Sequence, residues 1–156
     1  QFPNYGTAGS IYGYGFSANE RNTNLDPYPL SGVVMSASHG SLTLDVISKK
    51  MGGGFLVFHG NSTIVYAQCI GKNFSVYQNV TIGRGKKIEG NDVPVIGDNV
   101  FVGTGAIVIG GIYIGNNVKI VAGSLVNKDV PDNCTVVGNP MRLIYKKDMK
   151  DEGTVN

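Results

Sequence analysis

From Ile64 onward, aliphatic residues recur with a period of six. Ile64, Ile70, Val76 and Ile82 are six apart, and after an interruption the spacing resumes at Ile96, Val102, Val108, Ile114, Ile120 and Val126. Four positions later, a second row of small or aliphatic residues runs Val80, Val100, Ala106, Ile112, Val118, Ser124 and Val130. Between the rows stand Gly, Asp and Asn, as in Gly97-Asp98-Asn99 and Gly115-Asn116-Asn117. An amphipathic helix needs apolar spacing near 3.6, which this segment lacks. An antiparallel sandwich would show turn clusters every 8–12 residues instead. A period of six predicts one short flat strand and a tight corner, with the aliphatic side chain inward. Gly and Asn suit the corner because they tolerate positive φ. Three hexads close one triangular coil, and no hexad can bury its own face, so coils must stack with parallel ladders between them. The expected fold class is therefore all-β, a parallel β-helix solenoid.

Between Ile82 and Ile96 the repeat is broken by eight extra residues. The segment 84–94 (RGKKIEGNDVP) is polar and Gly-rich, so it is expected to leave the coil as a protruding loop. Loops on a rigid scaffold commonly carry function.

The length, 156 residues, suits one solenoid domain with flanking segments. Residues 1–32 are rich in Gly, Asn and Tyr without helical periodicity, and are expected to form an irregular N-terminal arm. Residues 33–144 are expected to form the β-helix, with 33–47 as strands of an incomplete first coil, and 145–156 a charged tail. The formal net charge is only +2, with no basic patch suited to nucleic acid. No apolar stretch reaches the ~20 residues of a membrane helix. The start does not read as a signal peptide. A cytoplasmic location is expected, and the four Asn-x-Ser/Thr triplets are taken as products of the repeat. Cys69 and Cys134 lie far apart without metal-ligand spacing, so two reduced, buried thiols and no metal are expected.

Three segments resemble a known family. Phe58-His59-Gly60-Asn61-Ser62-Thr63-Ile64-Val65 looks like an H-x-T-x-I-V segment. Tyr77-Gln78-Asn79-Val80-Thr81-Ile82-Gly83 precedes the polar loop. The stretch from Ile96 closes on Gly138-Asn139-Pro140-Met141-Arg142-Leu143-Ile144, similar to a G-x-P-A-R/K-x-I ending. In this order, from Met51 to Ile144, they resemble the hexapeptide-repeat acyltransferases, and among them the serine O-acetyltransferases and capsule-type O-acetyltransferases. The resemblance implies a left-handed coil, a homotrimer with sites between subunits, and acetyl-coenzyme A as acyl donor. It also implies acetyl transfer to a small hydroxyl acceptor, serine or a sugar.

An alcohol needs a base before it can attack, and histidine suits that role. Of His39 and His59, only His59 falls on a matched motif, and the resemblance makes it the base. It also implies an aspartate one coil back to orient that histidine, for which Asp45 stands 14 residues earlier. Backbone N–H groups of the small-residue corners are expected to face the cofactor and the developing oxyanion: Gly105 and Ala106, then Ala122 and Gly123. Lys128 and Arg142 are candidates for its phosphates. No residue is placed as a covalent carrier, so direct attack is expected.

Two departures matter. The serine enzymes carry Arg-His-Pro in the loop to grip the amino-acid carboxylate, whereas Asp92-Val93-Pro94 stands here. Arg84, Lys86 or Lys87 would have to supply that cation, or the acceptor is a sugar. The helical N-terminal domain of the cysteine-synthesis enzymes is also absent from residues 1–32. A non-catalytic structural β-helix is the rival class. A zinc-dependent β-helix lyase needs three histidines, and the chain has two.

Overall fold

The computed structural model describes backbone strands at residues 10–11, 14–15, 17–18 and 30–39 and the chain from 42 to 145, with side chains from Leu44 to Tyr145. Most of the 1–32 arm, the side chain of His39 and the tail 146–156 lie outside the described residues. The strands are β1 (Ser10–Ile11), β2 (Tyr14–Gly15), β3 (Ser17–Ala18), β4 (Leu30–His39), β5 (Leu42–Met51), β6 (Leu56–Val57), β7 (Thr63–Ile70), β8 (Ser75–Val76) and β9 (Thr81–Gly83). After the loop follow β10 (Val95–Ile96), β11 (Phe101–Val102), β12 (Ile107–Ile109), β13 (Tyr113–Ile114), β14 (Lys119–Ile120), β15 (Leu125–Val126), β16 (Cys134–Val137) and β17 (Arg142–Tyr145).

From β5 to β16 the chain is a parallel β-helix of about five turns, as the hexad pattern predicts. Each strand pairs with the one a coil away. Ile64, Thr81, Ile107 and Leu125 line up on one face, Cys69, Val95 and Tyr113 on a second, and Ser75, Phe101 and Lys119 on the third. At both ends the pattern turns antiparallel, β4 against β5 and β17 against β16. Of the strands expected as a first coil over 33–47, β5 is a coil strand, parallel to β7, whereas β4 runs antiparallel along its outer edge.

Both predicted rows point inward. Ile70, Val76, Ile82, Ile96, Val102, Val108, Ile114, Ile120 and Val126 are at most 3% exposed, and the second row from Val80 to Val130 at most 1%. Ile64 is the exception: it is 50% exposed while Val65 is fully buried. The cause is local. β7 is eight residues long and crosses from the first face, beside β9, to the second, beside β10. Thr63, Val65 and Ala67 alternate inward before one extra residue shifts the inward position to Ile70.

The corners stack into three edges. One is an asparagine ladder: Asn73, Asn99 and Asn117 each donate through Nδ2 to the Oδ1 of the next, at 2.9, 3.0 and 3.1 Å, ending on Asn133. All four hold φ between 55° and 59°. Beside them Lys72 N donates to Asp98, Asp98 N to Asn116, and Asn116 N to Asp132, at 2.7–2.8 Å. The corner residues therefore satisfy backbone donors that the short strands leave over.

Both cysteines are free, but only Cys134 is buried; Cys69 is partly exposed on the second outer face. The expectation of two buried thiols is corrected for Cys69, whose position in β7 falls on the outward phase. Burial, with the Asp132 charge adding, pushes the Cys134 thiol above its ordinary value. A raised thiol pKa means that the folded chain disfavours the thiolate. This contribution is complete below the unfolded pKa and is lost as pH rises through the folded one. A thiol reagent at mildly alkaline pH should therefore titrate one thiol per native chain and two in denaturant. Two rapidly reacting thiols in the native protein would contradict this burial.

Candidate functional site

His59 sits at the corner between β6 and β7, exposed, with φ at 51°. Histidine is one of the few residue types enriched in this conformation. The corner is tightly held. Asn61 N donates to the His59 carbonyl at 2.6 Å, and Asn79 N to the Asn61 carbonyl at 2.9 Å. The buried Thr63 hydroxyl donates to the Tyr77 carbonyl at 3.0 Å. A Cβ on Gly60 would come within 2.8 Å of Val57. Phe58 stacks on Tyr77 at 4.6 Å, and Tyr77 meets Phe101 edge-on at 5.4 Å, which gives the corner an aromatic flank.

Below this corner, on the same edge, lie the small-residue corners singled out in the sequence. Gly105 N donates to the Gln78 carbonyl at 3.1 Å, and Gly123 N to the Thr104 carbonyl at 2.9 Å. Gly105 and Gly123 both have positive φ, and a Cβ on either would meet nothing within 4 Å. Ala122 and Gly123 are exposed, whereas Ala106 is fully buried. His59, Gly105, Ala122 and Gly123 therefore share one open edge, and Ala106 contributes only backbone to it. Gln78, which the sequence reading did not single out as a site residue, lies between them, and its Oε1 is buried without a hydrogen-bond partner. Its only sequence signal was its place in the second matched segment.

The remaining candidates spread out. Asp45 is exposed on β5, in register with Ile64 rather than with His59, and with Ser36 on its other side. Arg142 pairs with Val137, one residue before Gly138, whose carbonyl accepts from Leu125 N at the C-terminal end of the His59 edge. Lys128 follows β15 and belongs to the next edge, the one that carries the loop.

That loop is a folded hairpin. Ile88 and Asn91 exchange both backbone hydrogen bonds, at 2.8 and 2.9 Å, around Glu89 and Gly90. Both turn residues have positive φ, the geometry of a type I′ turn. The hairpin lies on Gly110 and Gly111 of the next coil: Gly111 N donates to the Lys86 carbonyl at 3.0 Å. A Cβ on Gly111 would lie 1.9 Å from the Asn91 oxygen. Gly111→Ala should therefore unseat the hairpin and cost about 1–3 kcal/mol, read from the denaturant midpoint. A variant as stable as the parent would mean the hairpin is not seated there.

At the neck, Arg84 forms an ion pair with Asp92, donates to Tyr66 Oη at 3.1 Å and stands 5.2 Å from the centre of that ring. Asp92, then Tyr66, hold the guanidinium above its ordinary pKa. Of the three cations expected to compensate for Asp92 toward a substrate, Arg84 is thus already paired with Asp92 itself, which leaves Lys86 and Lys87 for that role.

Among the described residues, no helix is long and apolar enough to cross a membrane, and no three His, Cys, Asp or Glu side chains are grouped to hold a metal ion.

Comparison with known proteins agrees with this architecture. Residues 94–128 match the model of the bacterial transferase hexapeptide (six repeats). A serine acetyltransferase of Synechococcus elongatus is 43% identical over 102 residues, 65% of this chain and 42% of the relative. That of Bacillus subtilis is 40% identical over 107 residues, covering 68% and 49%. Among solved structures, the Neisseria gonorrhoeae serine acetyltransferase in complex with serine matches at a TM-score of 0.55 and 37% identity, over 64% of this chain and 42% of that one. The soybean apoenzyme matches at 0.58 and 40%, over 65% and 43%. The chain thus spans less than half the length of these relatives. Its β-helix is similar to the bacterial transferase hexapeptide over residues 94–128, and about two thirds of the chain is similar to the serine acetyltransferases.

Proposed function

We propose that the chain is an acetyl-CoA-dependent O-acetyltransferase of the serine acetyltransferase kind, with residues 33–144 as the working unit. The observation that carries this reading is the single open edge shared by His59 and the glycine corners at Gly105 and Gly123. His59 takes the proton of the acceptor hydroxyl as its oxygen attacks the thioester carbonyl. The N–H groups of Gly105, Ala106 and Gly123 already donate to the Gln78, Gly103 and Thr104 carbonyls, so of the four corner residues Ala122 is the one whose N–H is assigned to the oxyanion that develops. The imidazolium returns its proton to the departing thiolate, so atoms and charge balance. Gly105, Ala122 and Gly123 line the donor's path with little side chain, and Ala106 sets the backbone there. Arg142, at the end of this edge, meets the donor's phosphates. Lys128, on the loop edge, would meet a donor bound to a neighbouring subunit.

A cyclic homotrimer fits the outer surface. The row Ile64, Thr81, Ile107 and Leu125 is aliphatic at three of its four positions, with Ile64 50% and Ile107 41% exposed. The His59 edge bounds it on one side and the loop edge on the other. Packing this face against a second copy buries the isoleucines and brings one subunit's loop toward its neighbour's His59. Asp45, outward on the same face, is the group proposed to orient the imidazole. We place the activity in the cytoplasm.

A second acceptor class is favoured by one observation. The loop's arginine is occupied by Asp92, which suits a neutral hydroxyl, such as that of a sugar, better than an amino-acid carboxylate. The deciding measurement is thioester loss from acetyl-CoA with L-serine, then with a panel of sugars. Serine-dependent loss supports the first acceptor, and sugar-dependent loss the second. No turnover and no coenzyme A binding would sink the enzyme reading and leave a structural β-helix.

A further inference from the structure

The 84–94 hairpin is held at two places by different means. Its body rests on the Gly110–Gly111 step through backbone contacts. Val93 anchors the outgoing strand at 3% exposure, and Gln68 N donates to the Pro94 carbonyl at 2.8 Å. The neck is closed by one backbone bond and by side chains. Gly85 N donates to the Asp92 carbonyl at 2.9 Å, and on the same two strands Arg84 and Asp92 form their ion pair. Tyr66, from the preceding coil, supplies both a hydroxyl and a ring face to the guanidinium. One arginine thus joins three elements: the start of the hairpin, its end, and β7. Arginine suits this because its planar fork can bind a carboxylate and stack on an aromatic ring together. The pair is open to solvent, with Arg84 64% exposed, so its worth as a stabiliser of the whole fold is small. Its effect is local, on whether the hairpin stays seated.

We propose that Tyr66, Arg84 and Asp92 form a latch that keeps the 84–94 hairpin seated, and that through it they position the hairpin for the acceptor. The positioning part rests on the acetyltransferase reading; the latch itself does not. The test compares Arg84→Ala, Asp92→Ala, Tyr66→Phe and the charge swap Arg84→Asp/Asp92→Arg in the full chain. The first readout is amide hydrogen exchange at Ile88, Asn91 and Gly111. Protection there should fall severalfold in both alanine variants and partly in Tyr66→Phe, recover in part in the swap, which restores the ion pair but takes the guanidinium from its place beside Tyr66, and stay unchanged along the Asn73–Asn133 edge. The second readout is acceptor kinetics: KM for the acceptor should rise severalfold in the alanine variants with kcat changed far less, and fall back in part in the swap. Unchanged protection in both alanine variants overturns the latch. Lost protection with an unchanged acceptor KM overturns its positioning role. If the parent moves no acetyl group, the acetyltransferase reading fails and the positioning role with it, while exchange alone decides the latch.

Discussion

Replacing His59 by asparagine is expected to slow acetyl transfer about 10²- to 10⁴-fold, the contribution typical of a positioned general base, with the fold intact. Asparagine is the informative choice because the backbone at residue 59 has φ at 51°. Asparagine tolerates that conformation, as it does at the four ladder positions, so the change removes the imidazole without straining the corner. Alanine at the same place lacks the local side-chain hydrogen bonding that eases this backbone angle, which would confuse lost chemistry with lost structure. The measurement is thioester loss from acetyl-CoA beside the thermal midpoint of the same sample. A variant that keeps its midpoint and loses the rate supports the base assignment. A variant that keeps the rate removes His59 from the mechanism. Asp45→Asn, measured in the same way, separates an orienting carboxylate from a surface one.

Asn117→Ala is expected to destabilise the chain by roughly 2–4 kcal/mol, from two lost hydrogen bonds and an unfavourable positive φ. Asn117 donates to Asn133 at 3.1 Å and accepts from Asn99 at 3.0 Å, so one substitution opens the ladder on both sides. Its φ is 56°, which alanine adopts at a cost. Asn117→Gly divides the two causes: glycine accepts the backbone angle but cannot rebuild the ladder. Denaturant midpoints should rank parent above glycine and glycine above alanine. Equal midpoints for parent and alanine would mean that the ladder carries no stability, and equal midpoints for glycine and alanine would remove the backbone term. Stacked coils depend on their neighbours, so the loss should spread to the adjacent coils in hydrogen exchange.

Much of this molecule was legible along the chain. The period of six determined the solenoid, because a residue every six positions can be buried only if each hexad is one strand and one corner, stacked on the next. Nine of the ten primary positions and the whole second row are inward for that reason. The positive-φ corners were also written locally, in Asn79, Asn99, Asn117, Gly105 and Gly123, since only a few residue types hold that conformation cheaply. Ile64 escaped the pattern because strand phase depends on where a strand turns from one face to the next. That is set by the coils above and below β7, and the period does not contain it. Tertiary structure alone decided which corners share an edge. His59, Gly105 and Gly123 stand together and Lys128 apart because three corners per coil sort residues into columns only once every coil length, including the loop, is counted. The Arg84–Asp92–Tyr66 contact lay beyond the sequence for the same reason. Two of its members flank a hairpin and the third belongs to the preceding coil, so the charge pattern along the chain could not say that the loop's arginine was already spoken for.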